Sequence, residues 1–214
     1  MSESTTWEQR DATVSDAWYP APDQYWVVPP ADDARPSRYG DLYRAPAASA
    51  AGQPLTSGDG RPWLAALVLT PSCELISTAK DDAAVEVARV LPLAAQAPKP
   101  AAAIVAGWQE KDSRVAVAYA NTIFLAGVPH APGHDDGMFA DLRQTVRVRL
   151  GDLREAGRIA ALDHDARVSV IRRELYYRYR WLVATDDVRA LEAARISHDP
   201  HFTEPRPPWG DLAQ

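Results

Sequence analysis

The sequence predicts a β-rich α+β fold, a barrel of five to seven strands with one amphipathic helix packed beside it. Three observations predict it. Short strand-like segments punctuated by Gly and Pro recur from residue 40 to residue 150. One of them, WLAALVLT at 63–70, is apolar on both faces, as a strand buried in a barrel core is. An apolar stripe at helical spacing then runs through 163–182.

The first 35 residues mix Pro, Asp, Ser and Ala around Trp7, Trp18, Tyr19, Tyr25 and Trp26 with no steady period. They read as an arm whose aromatics pack back onto a domain or a partner, because leaving each in water forgoes roughly 1.5–3 kcal/mol. Three regions follow: an arm at 1–37, a barrel with appended helices at 38–184, and a short helix with a Pro-rich tail at 185–214.

Within the barrel, GDLYRAP at 40–46 opens the first strand after a Gly-Asp turn, and a small-residue loop fills 48–62. WLAALVLT ends at Pro71. VEVARVLPL at 85–93 is the next strand, with Val85 and Val87 on one face and Glu86 and Arg89 pointing elsewhere. PAAAIVAGWQEK at 100–111 has high helix propensity and a leading Pro. Two strands are expected at 115–119 and 122–126, split by an Asn turn. TVRVRL at 145–150 alternates strictly, which gives a half-exposed strand with a basic outer face. The closing helix is capped by Asp163 or Asp165 and carries Val168, Ile171, Leu175, Tyr179 and Leu182 on its apolar stripe, with Arg167, Arg172, Arg173, Arg178 and Arg180 largely off it. A shorter helix, DDVRALEAARIS, follows Thr185.

Charge and cysteine usage narrow the function. Lys plus Arg total 23 against 29 acidic residues, a net charge of −6, and a uniformly acidic chain gains nothing from counterion release on nucleic acid. The charge is uneven, however: residues 1–60 hold nine acids and four bases, whereas 143–180 hold ten arginines and five acids. That second stretch suits an anionic partner, either single-stranded RNA or an acidic protein surface. Its candidate contacts are Arg147, Arg149, Arg172, Arg173, Arg178 and Arg180, with Tyr176, Tyr177, Tyr179 and Trp181 interleaved as stacking platforms. The bland reading is a solvated arginine face that blunts strand edges. A single cysteine excludes an internal disulfide and a cysteine-rich zinc site. With no leader-like N-terminus and no apolar run of about 18 residues, the expectation is a soluble, cytoplasmic protein without a membrane partner.

Taken in order, Gly40-Asp41-Leu42, a long loop, Gly60-Arg61-Pro62, LVLTP at 67–71, VEVARVLPL at 85–93 and FADLRQTVRVRLGDL at 139–153 resemble the MazF/PemK family of toxin endoribonucleases. The resemblance implies an SH3-like barrel closed by a C-terminal helix, with a loop between the late strand and that helix. It also implies metal-independent cleavage of single-stranded RNA, in which an arginine steadies the phosphorane-like transition state and a hydroxyl orients the attacking 2′-oxygen. Arg61 carries over by motif. The strand end that supplies the family's hydroxyl reads Val90-Leu91-Pro92-Leu93 here, so Thr70 or Ser72 is the substitute. The expected function is therefore a binding or regulatory barrel that has lost the standard catalytic pair, in a toxin–antitoxin-like or phage-defence setting. A divergent endoribonuclease using Arg61, Thr70 and Ser72 is the alternative, and a structural component of a larger assembly the third. A protein partner or a second copy of the chain is expected, and no cofactor.

Two clusters have plainer readings. Cys73-Glu74 pairs a thiol with a negative neighbour that disfavours the thiolate, so Cys73 is read as a small buried residue. His130, His134, Asp135 and Asp136 lie in VPHAPGHDDGM, a Pro/Gly loop read as solvated rather than as a metal site.

Overall fold

The structure is a computed structural model, and it describes residues 25–29, 36–56, 60–72, 75, 80–106 and 121–179. Seven strands lie within those residues: β1 (Trp26–Val27), β2 (Asp41–Arg44), β3 (Ala65–Val68), β4 (Ala84–Pro92), β5 (Thr122–Leu125), β6 (Met138–Arg149) and β7 (Arg158–Leu162). They form one curled antiparallel sheet, a half-barrel, in the order β1-β7-β2-β3-β4-β6-β5. Three α-helices accompany it: α1 (Pro98–Ala106), α2 (Leu150–Ala156) and α3 (His164–Tyr179). None of these helices is long and apolar enough to cross a membrane.

The two ends of the sheet meet through side chains. Tyr25 Oη donates to the Phe124 carbonyl at 2.8 Å, and Trp26 Nε1 donates to the Ala126 carbonyl at 2.9 Å. Both donors belong to the β1 end, and both acceptors lie in or just after β5. The expectation that the aromatic arm packs back onto the domain holds for this pair, whose rings are buried edge to face 5.1 Å apart. Such a contact satisfies carbonyls that an edge strand otherwise leaves open.

Because the sheet is apolar on both sides, it has two cores. The larger gathers Leu42, Leu67, Val90, Ile123, Phe124, Phe139 and Leu162 with Ala101 and Ile104 of α1 and Ala166 and Val170 of α3. The smaller lies on the opposite side, where Val68, Val85, Val87 and Val148 pack with Leu55, Trp63 and Leu150 and Leu153 of α2. The doubly apolar pattern of 63–70 thus reports a strand covered on both faces.

A bulge lets one strand serve both cores. Along β4 and β6, Ala88 is opposite Thr145 but Arg89 is opposite Asp141, so Leu142, Arg143 and Gln144 are extra on β6. Before the bulge β6 pairs with β5 and fills the larger core; after it, Val148 enters the smaller one. Bulges of this kind bend a strand and re-aim its side chains.

The fold departs from the sequence expectations in two places. Between the expected strand at 145–150 and the closing helix, where the resemblance implies a loop, the chain forms α2 and β7, with α2 taking Leu150 from the strand's end, and β7 lies between β1 and β2. In α3, Asp163 is the cap, accepting from the Ala166 N–H at 2.7 Å, and the expected stripe is buried only in part. Val168 is buried, Ile171 and Leu175 are half-buried, and Tyr179 is 56% exposed. Arg167 and Arg173 are buried instead, because their guanidinium groups find backbone acceptors: Arg167 Nη2 donates to the Leu162 carbonyl at 2.8 Å and Arg173 Nε to the Thr122 carbonyl at 3.3 Å. Trp7, Trp18, Tyr19, Cys73-Glu74, the expected strand at 115–119, Arg180, Trp181, Leu182 and the DDVRALEAARIS helix lie outside the described residues.

Candidate functional site

The turn that leaves β3 carries two of the hydroxyls singled out by sequence. Thr70 is buried, and its Oγ1 accepts a hydrogen bond from the Glu86 backbone N–H at 2.7 Å. Ser72 Oγ accepts from the Tyr39 backbone N–H at 3.1 Å. Each hydroxyl fills a backbone-pairing role, one tying the turn to β4 and the other to the segment before β2. An N–H in such a position left without an acceptor costs about 1–3 kcal/mol.

The side chains of those same partners continue the network under α3. Tyr39 Oη donates to Glu174 Oε2 at 2.7 Å. Arg178, one helical turn beyond Glu174, donates from Nε to Glu174 Oε1 at 2.7 Å and from Nη2 to Glu86 Oε1 at 2.7 Å. Burial raises the Glu174 pKa, and the Tyr39 hydrogen bond and the Arg178 charge only partly offset it. Two glutamates on one guanidinium leave the trio one negative charge in excess when both are ionised.

A second polar cluster sits at the bulge. Asp141 is 1% exposed and accepts from the Arg143 backbone N–H at 3.0 Å, from Arg143 Nε at 3.0 Å and Nη2 at 3.1 Å, from Arg89 Nη2 at 3.3 Å and from Asn121 Nδ2 at 3.4 Å. Burial alone raises the Asp141 pKa, but these hydrogen bonds and the Arg143 charge outweigh it and hold the carboxyl below its ordinary value.

A third cluster is the most enclosed. Asp41 accepts from the Arg38 backbone N–H at 2.9 Å and pairs with Arg158 Nε at 3.2 Å, while Arg158 Nε also donates to Tyr43 Oη at 3.0 Å and stacks over the Tyr43 ring. Tyr43 Oη and Ser37 Oγ share a hydrogen bond of 2.8 Å. Burial pushes the Asp41 pKa up despite Arg158, Arg38 and Arg167 nearby.

The structure therefore brings Thr70, Ser72 and Arg178 into one network and leaves Arg61 apart from it. Arg61 is exposed and precedes β3, next to the Thr56–Pro62 bridge, whereas Thr70 follows the other end of the strand. Arg147 and Arg149 face outward on β6, with Arg149 Nε on Asp152 Oδ2 at 2.8 Å. Arg173 turns inward to Thr122, Arg172 lies within α3, and Arg180 is outside the described residues. In the loop at 127–137, His134 Nε2 lies 3.3 Å from the Leu64 carbonyl and Asp135 Oδ1 accepts from the Gly133 N–H. Among the described residues, no three His, Cys, Asp or Glu side chains converge as metal ligands do.

Sequence reasoning missed Tyr39, Glu86 and Glu174 as members of the site. Glu174 stands four residues before Arg178, a spacing that pairs side chains on a helix and was open to reading. Tyr39 and Glu86 come from 135 and 92 residues away, where no local pattern reaches.

No protein-family profile, curated protein or solved structure matches this chain.

Proposed function

We propose that this chain is a non-catalytic binding module whose partner is a protein. In this reading the curled sheet is an SH3-like barrel of the MazF/PemK kind, α3 is its amphipathic closing helix, and the chain works in the cytoplasm. Its setting is a toxin–antitoxin-like or phage-defence system, a point that rests on the resemblance alone.

The observation that carries the reading is the state of the groups that RNA cleavage would need. The Thr70 and Ser72 oxygens already accept backbone N–H bonds, and Arg178 is neutralised by two glutamates. A phosphorane-like transition state needs a cation that is not already matched by carboxylates. The charge around Thr70 has the opposite sign. Three more arginines of 143–180 are paired from within: Arg143 with Asp141, Arg149 with Asp152 and Arg154 with Asp81. Phosphate binding at these three would compete with the pairs.

The test is incubation of the purified chain with a mixed single-stranded RNA in the presence of a chelator. No cleavage is expected. Cleavage that disappears in Arg61→Ala would overturn the reading and establish the endoribonuclease, with Arg61 stabilising the transition state and Thr70 or Ser72 orienting the 2′-oxygen.

A further inference from the structure

Two arginines share one carboxylate at the β6 bulge, and they share it unequally. Arg143 grips both Asp141 oxygens through Nε and Nη2, although its side chain is 62% exposed. Arg89 reaches Asp141 Oδ2 through Nη2 only, at 3.3 Å, and its Nε is buried with no hydrogen-bond partner. A buried guanidinium N–H without an acceptor is costly and rare. Nε and Nη2 form one edge of the guanidinium fork, the edge that matches a carboxylate with two parallel bonds.

We propose that Arg143 is an anchor for a carboxylate of the protein partner, held on Asp141 in the free chain, and that Arg89 takes over Asp141 when Arg143 turns outward. This rests on the reading of the chain as a protein-binding module, and it names the chemistry of the partner: an acidic segment. Arg89 Nε then gains the acceptor that it lacks, so Asp141 is never left buried and unpaired. The exchange replaces one Arg143–carboxylate pair by another, so that Arg143, whose side chain is 62% exposed, keeps a carboxylate while the buried Asp141 keeps a guanidinium from Arg89. The bulge is what makes the exchange possible, because Arg143 is one of the three extra residues of β6 and has no ladder partner on β4.

Charge selects the kind of anion. Arg89 and Arg143 against Asp141 leave one positive charge, which a single carboxylate neutralises. A polyanion such as RNA also meets an overall charge of −6, to which the Glu86–Glu174–Arg178 trio adds a net negative charge.

The test uses a short oligoglutamate peptide titrated into the full chain and into Arg143→Ala, Arg143→Gln and Lys99→Ala, the last an exposed cation of α1, with melting curves for each. Wild type and Lys99→Ala bind alike, and Arg143→Ala weakens binding roughly tenfold, in line with a charge-assisted bond. Arg143→Gln retains a hydrogen-bonding side chain beside Asp141, keeps the fold if Ala does not, and weakens binding to the same extent. The Arg89 Nε–H resonance shifts on addition of peptide. Failure of oligoglutamate to bind, or binding by both Arg143 variants as tight as that of wild type, overturns the proposal, as does a single-stranded RNA that binds through Arg143 in place of the peptide. RNA cleavage would defeat the binding-module reading whatever the peptide does, whereas loss of Arg143 dependence defeats only the anchor.

Discussion

Glu174 and Asp141 are both carboxylates that meet arginine, yet they should respond to pH in opposite directions. Burial raises the Glu174 pKa on folding, so its contribution to stability is complete below the ordinary glutamate value and is lost as pH rises through the raised one. Asp141 is lowered, so its contribution is present above the ordinary aspartate value and lost as pH falls through the lowered one. Glu174→Gln keeps an acceptor for the Tyr39 hydroxyl and is expected to remove the alkaline-side loss while leaving the acid limb intact, measured by denaturant unfolding across pH. A curve parallel to wild type would show that Glu174 carries no such linkage. Asp41 is the more severe case, since Asp41→Ala takes a buried carboxylate away from the half-buried Arg158 and an acceptor away from the Arg38 N–H. We expect a loss of about 3–5 kcal/mol, the range for breaking one side of a buried pair. A loss under about 1 kcal/mol, the range of an exposed pair, would mean that solvent reaches Arg158.

At the scale of elements, pattern and structure agree where a segment's own residues decide its state. WLAALVLT, VEVARVLPL and TVRVRL read as strands because two-fold alternation or continuous apolar character survives whatever the rest of the chain does. The segment LREAGRIAAL held comparable signals, a Gly at 157 with φ 90° that ends α2 and a short apolar run after it, but the resemblance implied a loop there. Gly157→Ala forces a side chain into that left-handed conformation and is expected to cost about 1–2 kcal/mol by chemical denaturation. β1 was beyond reach, being two residues long and held in place by contacts 99 and 100 residues away. Its latch makes a separate prediction. Tyr25→Phe and Trp26→Phe each remove one donor to a β5-end carbonyl and should each cost about 1 kcal/mol or more. Because both close the same edge, the double variant should depart from additivity, and strict additivity would mean that the two bonds act independently.

For the whole molecule, closure explains both what was legible and what was not. Curling the sheet until β1 meets β5 carries Tyr39, Glu86 and Glu174 to the turn after β3, so the groups that surround Thr70 and Ser72 are set by topology. The sequence marks those hydroxyls and Arg178 as polar residues in notable places, but not that they would meet as parts of one scaffold. On the proposed binding-module reading, this network holds the half-barrel together and is not poised for chemistry. Its most direct test is the stability of Thr70→Val, which keeps the shape of the side chain and removes the acceptor for the Glu86 N–H. A loss of about 1–3 kcal/mol in denaturant unfolding with an unchanged m value is expected. Unchanged stability would contradict it, because a hydroxyl that the fold does not need would be free to act on a substrate.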